Sequence, residues 1–397
     1  MLQLDIYETL VAAALVLLAG RLLVAKLSFL RAFNIPEPVA GGLVIAAILA
    51  IARAGADVSV QFDTSMQTPF MLAFFATLGL SADLNNLRKG GKVIFVFLAV
   101  VVGLLVLQNV IGVGIATALG LNPYIGILAG SVTLSGGHGT GVAWGETFQN
   151  QYHVALAPEL AIACATFGLV LGGLIGGPVA RHLLRKVTVP STDKTDSEPM
   201  HFEHPQAVRL ITAPSLVETL ALILVCLSAG HALSATFSTT ALALPTFVWT
   251  LFVGVLLRNV LAALKYDVFD RALAVLGNVS LSMFLAMALM SLRLWELSSL
   301  ALPVLLILVA QTVAMAAFAV FVTFRVMGRN YDAAVLAAGH CGFGLGATPT
   351  AIANMQAVTD RFGPSHLAFL IVPMVGAFFI DIANAVVIKL FLSLSLT

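Results

Sequence analysis

Residues 121–144 read LNPYIGILAGSVTLSGGHGTGVAW, and residues 329–355 read RNYDAAVLAAGHCGFGLGATPTAIANM. Each begins with an apolar, helix-forming approach, meets a glycine cluster, and continues into a second apolar stretch. Each glycine in a helix interior costs about 1 kcal/mol relative to alanine, so such a cluster interrupts the helix. The interruption bares backbone N–H and C=O groups. Inside a bilayer these are tolerated only where protein or a wet cavity surrounds them. The two segments, about 121–150 and 330–357, are therefore predicted to be glycine-rich re-entrant hairpins. A plain surface loop is the alternative, and the apolar arms weigh against it.

The rest of the chain supports a membrane setting. Of 397 residues, 60% are hydrophobic and 10% charged, and the mean hydropathy is +1.02. A soluble fold of this size could not hide so much apolar surface. Apolar runs at 8–29, 39–54, 67–87, 91–119 and 158–183 precede a polar stretch at 184–213. Further runs follow at 214–236, 245–263, 272–293, 297–325 and 366–394. These are ten candidate spans of about 20 residues each. The predicted fold class is an all-α polytopic membrane protein with ten transmembrane helices. Asp5 and Glu8 in place of a basic start argue that the first run is a retained helix and not a cleaved signal.

The linker separates residues 1–183 from 214–397, and the two parts carry matching features in the same order. MLAFFATLGLSADLNNL (71–87) lies without gaps on LSMFLAMALMSLRLWEL (281–297). A second constant offset sets Gly136 on Gly344, Thr140 on Thr348 and Gly168 on Gly376. With an odd number of spans in each, the second part enters the membrane upside down. That predicts two inverted five-helix repeats, each with one hairpin. Charge orients them. With the N-terminus outside, all but Arg53, Arg293 and Lys389 of the 20 lysines and arginines fall on the inner side. Positive charge favours the cytoplasmic side, so both termini are predicted outside and the linker inside.

Several chemistries are excluded. The best approach to a phosphate-binding loop is Gly91-Lys92, with Asn86 and Val93 where glycine and a hydroxyl residue belong. No nucleotide or other organic cofactor is expected, so transport would draw on an ion gradient. A net charge of +1 makes no case for nucleic acid. Cys164, Cys226 and Cys341 are unclustered and lie in apolar runs, which fits neither disulfides nor zinc. Ser135 in TLSG could suggest an intramembrane serine protease, but Thr133 stands where a serine box of that type has glycine.

The candidate site lies at the hairpin tips. Ser135, Gly136, Gly137, His138, Gly139 and Thr140 form one tip; Gly344, Gly346, Thr348 and Thr350 belong to the other. Glycines let a ligand approach the backbone, half-helix N-termini favour anions, and freed carbonyls suit Na⁺. Close helix packing is the competing reading, and it suits Gly172, Gly173, Gly176 and Gly177. Asp381 lies midway along the last run, where a carboxylate is costly unless paired, solvated or bound to a cation. Asn384 follows one turn on. Together they are the candidate Na⁺ ligands, with the substrate ammonium as the alternative cation for Asp381 and a lysine or arginine partner as the structural one. His340 reads as structural.

Long strings carry a resemblance. They are IPEPVAGG (35–42), LAFFATLGL (72–80), LSGGHGTG (134–141), ACATFGLVLGGLIGGPVAR (163–181), LGNVSLSMFLAMALM (276–290), YDAAVLAAGHCGFGLGATPTAIANMQA (331–357) and RFGPSHLAFL (361–370). With these the chain resembles the glutamate:sodium symporter family along nearly its whole length outside the linker. The resemblance implies Na⁺-coupled uptake of L-glutamate across the bacterial inner membrane by alternating access. It also implies a homodimer that moves a transport domain against a fixed scaffold, as in the related citrate-type carriers. The residues by themselves leave other small anions open, such as hydroxycarboxylates.

Overall fold

The computed structural model describes every residue except 1, 33–34, 57–59, 85–90, 186, 188–209, 241–243, 292–299 and 395–397. Most of the linker, Arg88, Lys89, Arg293 and the C-terminal Thr397 thus lie outside the described residues. The fold is almost entirely helical. Its helices are α1 (Ile6–Lys26), α2 (Glu37–Ala56), α3 (Gln67–Ser81), α4 (Gly91–Ala118), α5 (Pro123–Ile127), α6 (Gly137–Gln151) and α7 (Ala157–Leu184). Then come α8 (Ala213–Phe237), α9 (Thr246–Ala263), α10 (Asp270–Met290), α11 (Ala301–Phe318), α12 (Tyr331–Leu345), α13 (Thr348–Phe362), α14 (His366–Met374) and α15 (Ile380–Leu392).

Local chemistry sets the ends. Glu8 N donates to Asp5 Oδ1 at 2.8 Å and Asp5 N donates to Glu8 Oε2 at 3.0 Å, a reciprocal cap that starts α1. Thr212 and Ser215 cap α8 in the same way. The strands β1 (Leu2–Leu4) and β2 (Val60–Phe62) pair in parallel, a contact the hydropathy pattern does not foretell.

Among the described residues, seven helices are long and apolar enough to cross a membrane, and eight if α14 and α15, bent by 47°, form one span. Their outer surfaces are apolar: Val11, Leu15, Leu18 and Leu22 are exposed along α1, and Val217, Leu220 and Leu224 along α8. Contiguous apolar surface of this kind faces lipid. The protein is a polytopic membrane protein. The predicted run 67–87 is shorter as a helix, ending at Ser81.

The helices sort into two bodies. In one, α1 packs on α2 and α8 on α9; α1 meets α10 as α8 meets α3; and α2 meets α10 as α9 meets α3. In the other, α4 packs on α11, α4 on α15 as α11 on α7, and α6 on α7 as α13 on α14. The bodies touch where α10 meets α6, α9 meets α15, and α3 meets residues 375–379. Within the first body, a Cβ on Gly79 of α3 would lie 2.2 Å from Leu251 O of α9, so only glycine permits this backbone approach. The core of the second body holds Phe97, Leu104, Trp144 and Phe343, all fully buried.

Candidate functional site

Two helix breaks meet inside the second body. The first follows α5, where Leu128–Val132 winds as a π-helix and Gly130 leaves helical geometry (φ −103°, ψ −130°). The backbone freed there finds side-chain partners. Ser131 N donates to Asn109 Oδ1 of α4 at 3.0 Å, and Asn384 Nδ2 of α15 donates to Ser131 O at 2.8 Å. Helix α6 then starts at Gly137, whose φ of +70° is a conformation that glycine adopts without strain. The second break, at Gly346 and Ala347, separates α12 from α13. It faces the first: a Cβ placed on Gly137 would sit 3.4 Å from Gly346 O.

Amides from the crossing helices tie the breaks together. Gln108 Nε2 of α4 donates to Gly344 O at 2.7 Å. Ser135 Oγ donates to Gln108 Oε1 at 2.7 Å, with Gly344 O a second acceptor at 3.2 Å. Gln311 Nε2 of α11 donates to Gln108 O at 2.6 Å. On the other flank, Thr140 Oγ1 donates to Asp381 Oδ1 at 3.1 Å.

Of the predicted residues, Ser135, Gly136, Gly137, Thr140, Gly344, Gly346, Asp381 and Asn384 thus gather around the meeting of the breaks. Three others turn elsewhere. His138 Nε2 lies 3.0 Å from Thr166 Oγ1 of α7, and Thr348 Oγ1 donates to Gly376 O at 2.8 Å. Thr350 is buried beside Gly173 of α7, and its hydroxyl has no partner. The glycines serve close packing in this arrangement. A Cβ would come within 2.9 Å of Phe74 from Gly139, of Leu104 from Gly344 and of Leu169 from Gly346, and within 2.5 Å of Val132 O from Gly136. The packing role holds for Gly176, where a Cβ would meet Asn354 at 2.2 Å, whereas Gly177 faces open space. His340 is held structurally, between Thr323 at 2.9 Å and the stacked ring of Phe343.

Gln108, Asn109, Ser131 and Gln311 join this network without being among the residues that the glycine pattern singles out. Their signal is present: LVLQNVIG and LVAQTVAM place carboxamides within otherwise apolar spans. A buried amide in such a run requires partners, and helix breaks supply them. Several atoms in this region remain unpartnered: Asn109 Nδ2, Ser131 Oγ, Gln311 Oε1 and Asn384 Oδ1. Among the described residues no group of three or more His, Cys, Asp or Glu side chains could hold a metal, so a cation here would rest on one carboxylate, amide oxygens and hydroxyls. Oxygen donors of that kind suit a hard cation and not a soft one.

A lipid-embedded helical body whose interior breaks present polar atoms to one another defines the class: a polytopic membrane protein with a polar, candidate site in its core. The family described as sodium/glutamate symporter matches residues 2–364. The chain is 62% identical over 396 residues to the sodium/glutamate symporter of Escherichia coli, covering 99% of each. It is 58% identical over 387 residues to that of Haemophilus influenzae, covering 96% of each. The chain belongs to the sodium/glutamate symporter family, which is a family of transporters and not of enzymes.

Proposed function

We propose that the protein carries L-glutamate into the bacterial cell together with Na⁺, by alternating access across the inner membrane. Full-length similarity to proteins named sodium/glutamate symporter supports the substrate and the ion. The observation that carries the mechanism is the meeting of the two breaks, bridged by Gln108 and flanked by Asp381.

In this reading the fold is a pair of inverted five-helix repeats with ten spans and two re-entrant hairpins, α5–α6 and α12–α13. The reciprocal pairing of helices between the halves supports it: contacts such as α1 with α10 and α8 with α3 exchange under the repeat. Helices α6 and α13 begin after the breaks, so their free N–H groups and positive dipole ends suit the two carboxylates of glutamate. Asp381 and the unpartnered Asn384 Oδ1 suit Na⁺. In this homodimeric carrier the body of α1–α3 and α8–α10 is the scaffold, and the body holding the breaks is the part that moves. Narrow contacts between the bodies favour such relative motion. Both termini are periplasmic, as the charge pattern argues.

The test is uptake of labelled glutamate by proteoliposomes under an imposed inward Na⁺ gradient, without ATP, against competing amino and hydroxy acids. Full-rate uptake in choline medium lacking any coupling ion would overturn the symport reading.

A further inference from the structure

Between the two bodies lies a cavity of about 350 Å³, separate from the meeting of the breaks. It is lined by Gln67 of α3, Glu146, Gln149 and Asn150 of α6, Glu159 of α7 and Ser291 after α10. All these residues lie toward the helix ends that the charge pattern puts outside. Two carboxylates line this space, and among the described residues no lysine, arginine or histidine does. Glu146 accepts a short hydrogen bond from Gln67 Nε2. Glu159 is only 7% exposed, and its Oε2 has no hydrogen-bond partner. Its place in the first turn of α7 gives it a favourable helix dipole, but a dipole leaves the buried oxygen without a donor.

A buried carboxylate oxygen without a partner is costly, and a second carboxylate lining the same space adds to its negative charge. A cation from solution offsets both. The amide oxygens of Gln67, Gln149 and Asn150 and the hydroxyl of Ser291 extend the donor set with neutral oxygens. At about 30 Å³ per water, the space holds roughly ten waters, so an alkali ion enters partly hydrated.

We infer that this outer cavity is a second alkali-cation site, at which Glu159 and Glu146 bind Na⁺ between the two bodies. The site is distinct from the one around Asp381 and lies on the entry side. The inference rests on the proposed Na⁺ coupling for its physiological ion. Its position has a consequence: an ion there touches α3 on one body and α6 and α7 on the other, so its occupancy depends on their separation.

The experiment uses full-length protein purified in detergent and reconstituted in liposomes, with Glu159→Gln, Glu146→Gln and Asp381→Asn. The first two are expected to raise the external Na⁺ giving half-maximal glutamate uptake by about ten-fold, with the glutamate KM at saturating Na⁺ unchanged. Equilibrium binding of ²²Na⁺ to Asp381→Asn is expected to persist and to vanish when Glu159→Gln is added. Unchanged Na⁺ curves in both glutamate variants, or complete loss of ²²Na⁺ binding in Asp381→Asn alone, would overturn the second site. A raised glutamate KM with an unchanged Na⁺ curve would also overturn it, by placing the substrate ammonium there. If Glu159→Gln does not fold, Glu159→Asp replaces it, with a shifted Na⁺ curve expected and ²²Na⁺ binding to the wild type and Asp381→Asn deciding the site count. Wild-type uptake indifferent to Na⁺ would instead remove the coupling reading itself, a separate result.

Discussion

Thr140 and Asp381, 241 positions apart in the chain, are joined by a 3.1 Å hydrogen bond from the threonine hydroxyl to the carboxylate. The bond links the first helix after a break to the last helix of the chain, so it couples the two halves beside the candidate site. Among the described residues Asp381 has no basic side chain as its hydrogen-bonded partner; a hydroxyl holds it and leaves its charge available to a cation.

Replacing Asp381 by asparagine keeps the shape and removes the charge. If Asp381 binds Na⁺, half-maximal uptake is expected to need about ten-fold more Na⁺ or to lose its Na⁺ dependence, with the protein still in the membrane. If it binds the substrate ammonium, glutamate affinity falls while ion preference stays. Kinetics unchanged in both respects would place Asp381 outside the site. Proteoliposome uptake over a matrix of Na⁺ and glutamate concentrations separates the three.

Gln108 and Gln311 make contrasting positions. Gln108→Leu removes the strong bonds to Ser135 Oγ and Gly344 O and leaves only the 3.2 Å contact between those two, so a stability loss of about 1–2 kcal/mol and a large fall in uptake are expected. Gln311→Leu removes one bond to Gln108 O together with an oxygen that had no partner, so its cost is expected to stay within about 1 kcal/mol. Thermal unfolding in detergent, with protein amount verified, compares the two; equal losses would contradict the network.

Two glycines of α7 test close packing. A Cβ on Gly168 would meet Leu345 O at 2.1 Å and Leu134 Cδ2 at 2.7 Å, so Gly168→Ala is expected to push α12 away at about 1–3 kcal/mol. Gly177 has nothing within 4 Å, and Gly177→Ala is expected to be neutral or to stabilise by up to about 1 kcal/mol. The unfolding midpoints should move in opposite directions or differ clearly in size.

Topology is checked with a cysteine at Thr195 in the linker. In intact cells an impermeant maleimide applied from the periplasm should leave it unlabelled, and permeabilisation should expose it. Labelling from outside would reverse the orientation derived from the lysine and arginine distribution.

Part of this protein could be read directly from its residues. The membrane setting, the helix positions, the two glycine interruptions and the singular Asp381 all follow from local composition, because hydropathy and helix propensity act over one or two turns. The breaks themselves were legible to within a few residues. Their register was less so: the helices after the breaks start at Gly137 and Thr348, which departs from the alignment of Gly136 on Gly344. Glycine content says that a helix stops, whereas the stopping residue depends on what its freed N–H and C=O groups find.

The residues by themselves determined that the chain enters lipid, where its helices interrupt, and which carboxylate stands isolated there. Tertiary structure decided which groups meet. It brought Gln108 and Ser135 to Gly344 O, Asn384 to Ser131 O and Thr140 to Asp381, and it turned His138 toward Thr166 and Thr348 toward Gly376. It also set Glu146 and Glu159 around one cavity. The reason is physical. Burial and helix formation are short-range preferences encoded residue by residue, while a hydrogen bond depends on the position and direction of two groups that only the packing of distant helices brings together.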